Sequence, residues 1–161
     1  MNTWVGVKEE LLLSRIGADE LARLVMTLLT TARRIDAACA ELLAGHDLSE
    51  GRLAALLAVG AEPGITPGLL ADRLDVTRAT VTGLLDGLER RGLVARDGKA
   101  GDRRSLALHV TAPGEQLVAT LTPIYADWLR QLGGGISAEN REVAARTMIA
   151  IQRNLRSGDE G

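Results

Sequence analysis

Residues 66–111 constrain the fold of this chain more than any other segment. They read TPGLLADRLDVTRATVTGLLDGLERRGLVARDGKAGDRRSLALHVT. Thr66 followed by Pro67 is a strong helix start, because threonine caps free backbone N–H groups and proline at the first helical position forfeits no hydrogen bond. A helix is therefore predicted over residues 67–74, and a two-residue turn separates it from a second helix over 77–91, capped by its first threonine. Helices joined by so short a turn must cross at a steep angle.

A hairpin is predicted directly after the second helix. Leu93–Arg96 and Ser105–Val110 flank a glycine-containing tip, and apolar residues alternate along the return strand. Two crossing helices followed by a hairpin are typical of a winged helix-turn-helix. The sequence thus predicts a mainly α-helical fold with a small β-hairpin wing, and a DNA-binding protein.

Long helices are predicted on both sides of this segment. They cover residues 19–43 and 113–132. Three other helices are predicted, over Val5–Ile16, after Ser49 and from Ser137 to Leu155. The helix after Ser49 is predicted to bury Leu53, Leu56 and Leu57. The apolar stripes exceed what a winged domain of roughly 65 residues could cover, so a partner chain is expected.

The charge of the chain is unevenly distributed. The net charge is −2, but residues 77–104 hold seven basic and four acidic side chains, a local +3. One face could therefore bind a polyanion, and such binding would weaken steeply with salt. The alternative is a basic stretch that is merely solvated.

The second helix of the pair has a small outward side. At 100° per residue, its leucines and Val81 gather on one side, whereas the opposite side carries Ala79, Gly83, Asp86 and Arg90, with Thr82 and Gly87 at its margins. Both glycines are expected to be exposed. Small residues would let the backbone approach base edges, where Arg78, Thr80 and Thr82 offer hydrogen bonds and methyl groups. The alternative is a plain amphipathic helix of weak helical propensity.

An outward carboxylate at Asp86 would repel phosphate and needs a cation. Arg104, entering from the hairpin, is the predicted partner, and the pair would brace the wing against the helix. Asp102 could bond the local backbone or a neighbouring arginine. Arg103 and Arg104 could together enter a narrow minor groove, where the negative potential favours arginine.

Four short stretches carry a resemblance to a known family. They are LSEGR at 48–52, LADRL at 70–74 with TRATVT at 77–82, and DRRS at 102–105 followed by an alternating strand. In this order and spacing they resemble the MarR family of bacterial transcription regulators. One departure is Gly87, where the family usually has a larger, often basic residue, so weaker phosphate contact is expected there.

The resemblance implies a homodimer that binds a pseudo-palindromic DNA operator, with the recognition helix in the major groove and the wing in the minor groove. It leaves open whether a small-molecule effector releases the dimer from DNA. It also implies a layout of N-terminal dimerisation helices in 1–47, a DNA-binding domain in 48–111, C-terminal dimerisation helices in 112–156 and a flexible tail in 157–161. Repression is expected because a dimer on a promoter blocks polymerase. The expected DNA-binding residues are Thr66, Thr77, Arg78, Ala79, Thr80, Thr82, Arg103 and Arg104. Asp86, on the second helix, and Asp102, in the hairpin, are expected to support the wing.

Other residue types indicate few additional sites. Tyr125 and Trp128 are expected to pack between dimer helices or to line an effector pocket. Cys39 is interpreted as a core residue or, less simply, a redox sensor, and the two histidines cannot form a clustered metal site. No catalytic constellation, cofactor motif or membrane segment is predicted, so a cytoplasmic non-enzyme is expected. The remaining alternative is a winged-helix module that binds another protein.

Overall fold

Seven helices and one antiparallel strand pair make up the part of the chain that the structure, a computed structural model, describes: residues 4–17, 19–97 and 107–158. This confirms the predicted mainly α-helical fold with a small hairpin. In chain order the elements are α1 Val7–Ile16, α2 Glu20–Ala44, α3 Glu50–Ala61, α4 Pro67–Leu74, α5 Arg78–Arg90, β1 Val94–Asp97, β2 Ala107–Val110, α6 Ala112–Leu132 and α7 Ala138–Gly158.

Side-chain caps fix most of the predicted helix starts. Asp19, Ser49, Thr66 and Thr77 each accept a hydrogen bond from the backbone N–H three residues later, at 2.8, 3.4, 3.3 and 3.1 Å. Each bond satisfies one of the N–H groups that a helix leaves unpaired at its first turn. The predicted starts of α2 to α5 therefore agree with the structure to within a residue.

The start of α1 and the end of α7 differ from the sequence prediction. The first helix begins at Val7 rather than Val5, because the preceding Gly6 has extended backbone angles and donates its N–H to the Thr30 hydroxyl of α2 at 3.0 Å. At the other end, α7 continues to Gly158, two residues into the stretch that was predicted to be a tail. An uninterrupted helical sequence such as AIQRNLRS contains no stop signal before that glycine.

Residues 1–115 form one compact unit. Its core joins α3, α4, α5 and β2 through fully buried side chains, namely Leu56, Leu70, Val81, Leu85, Leu88 and Leu108. The prediction that α3 buries three leucines was wrong in part: Leu56 is buried and Leu53 half-buried, but Leu57 is 47% exposed. On a helix, residue 57 lies about 100° from residue 56, which turns it away from the core.

The hairpin is held against the loop before α4 through its second strand. Val94 pairs with Val110 and Asp97 with Ala107 in the antiparallel register. Leu108 exchanges hydrogen bonds with the loop before α4, donating to the Ile65 carbonyl at 3.0 Å and accepting from Gly64 at 2.8 Å. These bonds hold the strand pair beside the start of α4.

Residues 116–161 form a second unit, which contains most of α6 and all of the described part of α7. Its helices leave many large apolar side chains in solvent. They are between 37% and 69% exposed and include Ile124, Leu129, Leu132, Val143, Met148, Ile149 and Leu155.

Candidate nucleic-acid interface

The turn between α4 and α5 is set by one residue in the left-handed conformation. Asp75 ends α4 with φ 52° and ψ 47°, a region that aspartate tolerates better than most residues. Its backbone N–H and that of Val76 still bond carbonyls of the last turn, Val76 to Ala71 at 3.1 Å. The chain therefore changes direction within two residues, and α5 starts at once from the Thr77 cap.

The outward face of α5 is small, as the sequence predicted. Ala79, Gly83, Asp86 and Arg90 are exposed, together with Thr82, while Val81, Leu85, Gly87 and Leu88 are buried. The expectation that Gly87 is exposed was therefore wrong. The side chain of Arg52, from α3, covers it: a Cβ added to Gly87 would lie 2.9 Å from the guanidinium carbon of that arginine.

The threonines predicted to contact DNA are partly engaged within their own helices. Thr77 accepts the Thr80 N–H at 3.1 Å, and the two hydroxyl oxygens are 2.9 Å apart. Thr82 donates its hydroxyl to the Arg78 carbonyl at 3.0 Å. Thr82 thus presents a methyl group and acceptor lone pairs to a ligand, but not its proton. The Thr66 hydroxyl likewise caps α4.

Arginines lie at both ends of the outward face. Arg78 reaches back over the first turn of α4, where its Nη2 atom is 3.9 Å from the place that a Cβ on Gly68 would occupy. Arg90 donates from Nε to the Asp86 carbonyl at 3.2 Å and is exposed. The Arg78 guanidinium therefore lies beside the positive N-terminal end of α4, an arrangement that suits an anionic group.

Asp86 has the cation that its position requires. Arg96, on β1, donates from Nη2 to Asp86 at 2.9 Å and also forms an ion pair with Glu89 at 2.8 Å. The wing is thus braced against α5 through its first strand. Arg104, the predicted partner, lies outside the described residues together with Asp102 and Arg103, so the Asp86–Arg104 pair stays a prediction.

Arg91 has a structural role that sequence reasoning missed. Its guanidinium donates to the carbonyls of His46 and Asp47 at 3.0 and 2.7 Å, and so fastens the end of α5 to the turn before α3. Sequence reasoning counted Arg91 and Arg96 as part of a basic stretch. A usable signal existed for Arg96, since Asp86 and Glu89 are spaced three apart on a helix and share one side.

The remaining candidate residues occupy ordinary positions. Cys39 is buried, and His109 lies 3.3 Å from the Asp97 carboxylate across the strand pair. Tyr125 and Trp128 are half-buried on α6, with ring centroids 5.2 Å apart in an edge-to-face arrangement. Within the described ranges, no group of three potential metal ligands occurs, and no helix is long and apolar enough to span a bilayer.

Comparison with known proteins places this geometry in a family. The profile of the MarR family matches residues 46–105. Transcriptional regulator HosA of Escherichia coli O157:H7 is 34% identical over 97 residues, which are 60% of this chain and 72% of HosA. The HTH-type transcriptional repressor YetL of Bacillus subtilis is 28% identical over 127 residues, 78% of this chain and 76% of YetL.

Solved structures share the fold. The MarR family transcription regulator SP03579 superposes with a TM-score of 0.79 at 22% identity, covering 89% of this chain and 95% of the other. Streptococcus pneumoniae FabT, solved in complex with DNA, gives a TM-score of 0.72 at 24% identity, covering 86% and 99%. The profile match and the relative HosA show that the chain belongs to the MarR family, whose members are transcription regulators and not enzymes.

Proposed function

We propose that a homodimer of this chain represses transcription by binding a pseudo-palindromic operator. Each protomer would place α5 in the major groove and the wing in the adjacent minor groove. The observation that carries the proposal is the outward face of α5, where Ala79 and Gly83 are exposed between Arg78 and Arg90. A major groove about 12 Å wide admits a helix, and small side chains let its backbone come close to the bases.

The contacts divide into two kinds. Arg78, above the first turn of α4, and the exposed Arg90 are suited to phosphates, which position the protein without selecting a sequence. Thr82 offers a methyl group and lone pairs, which suit base edges. Arg103 and Arg104 are proposed to enter the minor groove, where arginine is favoured by the negative potential.

Dimerisation is supported by the apolar side chains that one protomer leaves in solvent. On α1, Val7 and Leu11 are 74% and 62% exposed, and α2, α6 and α7 carry further examples. Exposed apolar surface of this extent is typical of a protein interface. A symmetric dimer would set its two α5 helices on half-sites about 34–36 Å apart.

Repression and its release complete the proposal. Occupation of a promoter in the cytoplasm would block polymerase without any further contact, and the relative YetL is named a repressor. An effector would act by changing the spacing of the two winged domains, and thereby the operator affinity. The half-buried pair of Tyr125 and Trp128 on α6 remains the proposed place for such a ligand.

Titration with DNA from upstream of the chain's own gene tests the proposal. At 50 and 200 mM salt, wild type should bind in the nanomolar to sub-micromolar range and lose affinity steeply as salt rises. Arg78→Ala and Arg104→Ala should each weaken binding. Arg146→Ala, which removes an exposed arginine from its ion pair with Glu142 on α7, is the control and should bind like wild type.

Two outcomes would contradict the proposal. Absence of binding to every upstream fragment would do so, as would binding that is insensitive to salt, since phosphate contacts release counterions. Either result would favour a winged-helix module that uses the same face for a protein partner.

A further inference from the structure

We propose that Arg52 is a phosphate-binding residue that flanks the outward face of α5. The inference rests on the proposed function, and extends its interface to a residue of α3. Neither the basic stretch of residues 77–104 nor the helix pair itself includes this arginine. It belongs to the first turn of α3.

The guanidinium of Arg52 lies directly on the backbone of α5. The three heavy atoms nearest to a Cβ built on Gly87 all belong to Arg52: Nε at 2.5 Å, and Cζ and Nη2 at 2.9 Å. Gly87 is consequently buried, although Asp86 beside it is exposed. A glycine at this point therefore makes room for an arginine that comes from another helix.

This position borders the face that would enter the groove. Gly87 follows Gly83 by four residues, so the two lie only about 40° apart around the helix. Asp86 and Glu89 mark the opposite flank, where Arg96 joins them. Each flank of α5 thus has one guanidinium next to it.

The two flanking arginines differ in how their charge is used. Arg96 is held by two carboxylates at 2.9 and 2.8 Å. Arg52 is half-buried, and it forms no ion pair with a carboxylate in the part of the chain that the structure describes. Its charge is thus available to an anion. Phosphates line both edges of the major groove, and the planar guanidinium matches a phosphate in a two-pronged hydrogen bond.

Two substitutions perturb the same contact in different ways. Arg52→Ala removes the charge. Gly87→Ala keeps the charge but displaces the guanidinium, because the new methyl group would occupy its place. If Arg52 binds phosphate, both substitutions should weaken DNA binding: the first removes the contact together with its released counterion, and the second moves the guanidinium away from the position that binds the phosphate.

The test is the salt dependence of binding by the full chain to its upstream DNA fragment. Each lost phosphate contact lowers the slope of log K against log salt by about 0.9, so a dimer of Arg52→Ala should lose about 1.8. The ratio of affinities at 50 and 200 mM salt should then fall roughly 12-fold relative to wild type. Arg52→Lys should retain most of the slope, and Arg146→Ala all of it.

The outcomes separate this inference from the proposed function. If wild type binds no upstream DNA, the proposed function fails. If wild type binds with a steep slope and folded Arg52→Ala has the same slope, the inference alone is overturned. Should the alanine variant not fold, Arg52→Gln, which keeps the stem and a planar end without charge, supplies the same comparison: an unchanged slope overturns the inference and a reduced one supports it.

Discussion

Replacement of Arg96 by alanine tests how the wing is held against α5. Arg96 is the one guanidinium seen to bridge Asp86 and Glu89 in the described part of the chain, and its side chain is 24% exposed. We expect the variant to be less stable, and the loss to come more from Glu89 than from Asp86. The reason is exposure, since the Glu89 side chain is 30% exposed and that of Asp86 56%.

The magnitude follows from the environment of each pair. Partly exposed ion pairs contribute about 0.2–1 kcal/mol, so we assign the lower end to Asp86 and the upper end to Glu89. Loss of the packed arginine stem increases the destabilisation. Removal of the buried Arg96 Nε, which has no hydrogen-bond partner in the described residues, decreases it, because an unpaired buried N–H is itself unfavourable. A total of about 1–2 kcal/mol would lower Tm by about 2–8 °C in a chain of this length.

Double-mutant cycles of Arg96→Ala with Glu89→Gln and with Asp86→Asn measure the two couplings directly. Thermal unfolding at one fixed protein concentration is the assay, because a dimer makes Tm depend on concentration. Both couplings should shrink in 1 M salt, where the screening length is about 3 Å. The reasoning is refuted if the coupling to Asp86 equals or exceeds that to Glu89, or if neither coupling is measurable at low salt.

Two further predictions concern stability. Gly114→Ala should destabilise the chain by about 1–3 kcal/mol, because its methyl group would overlap the Leu93 carbonyl oxygen. Gly83→Ala, with open space around it, should stabilise the chain by about 0.5–1 kcal/mol. Urea unfolding midpoints that are the same for the two variants would contradict this. Arg33 pairs with the buried Glu9 at 2.7 Å and lowers the pKa of that carboxyl, more than burial raises it. The stability that the Glu9–Arg33 pair contributes should be complete above the ordinary carboxyl pKa and be lost as pH falls through the lowered value. Glu9→Gln should therefore reduce the fall of the urea unfolding midpoint at acid pH. A variant whose midpoint varies with pH as that of wild type does would argue against the pair.

Local signals made the helix pair predictable. The Thr66 and Thr77 caps act on N–H groups three residues away, so sequence alone places the starts of α4 and α5. The buried side of α5 follows from its periodicity, because Val81, Leu85 and Leu88 share one side of a helix. Both features depend on residues within one or two turns.

Long-range placement was less predictable. Gly87 lies at the margin of the outward side by periodicity, but its burial depends on Arg52, 35 residues earlier. The partner of Asp86 was equally hard to choose, since several arginines follow it and Arg96 reaches it only because β1 packs against α5. Side-chain partners from other elements are fixed by tertiary packing, which a local pattern does not encode.

Hydroxyl-radical footprinting of the upstream DNA fragment tests the central claim most directly. If a dimer places two α5 helices in successive major grooves, two protected clusters should appear on one face of the duplex, centred about 10–10.5 base pairs apart. Arg78→Ala should weaken both clusters together, because each protomer contributes one. A single protected cluster, or no protection at concentrations where the chain is folded, would contradict the account.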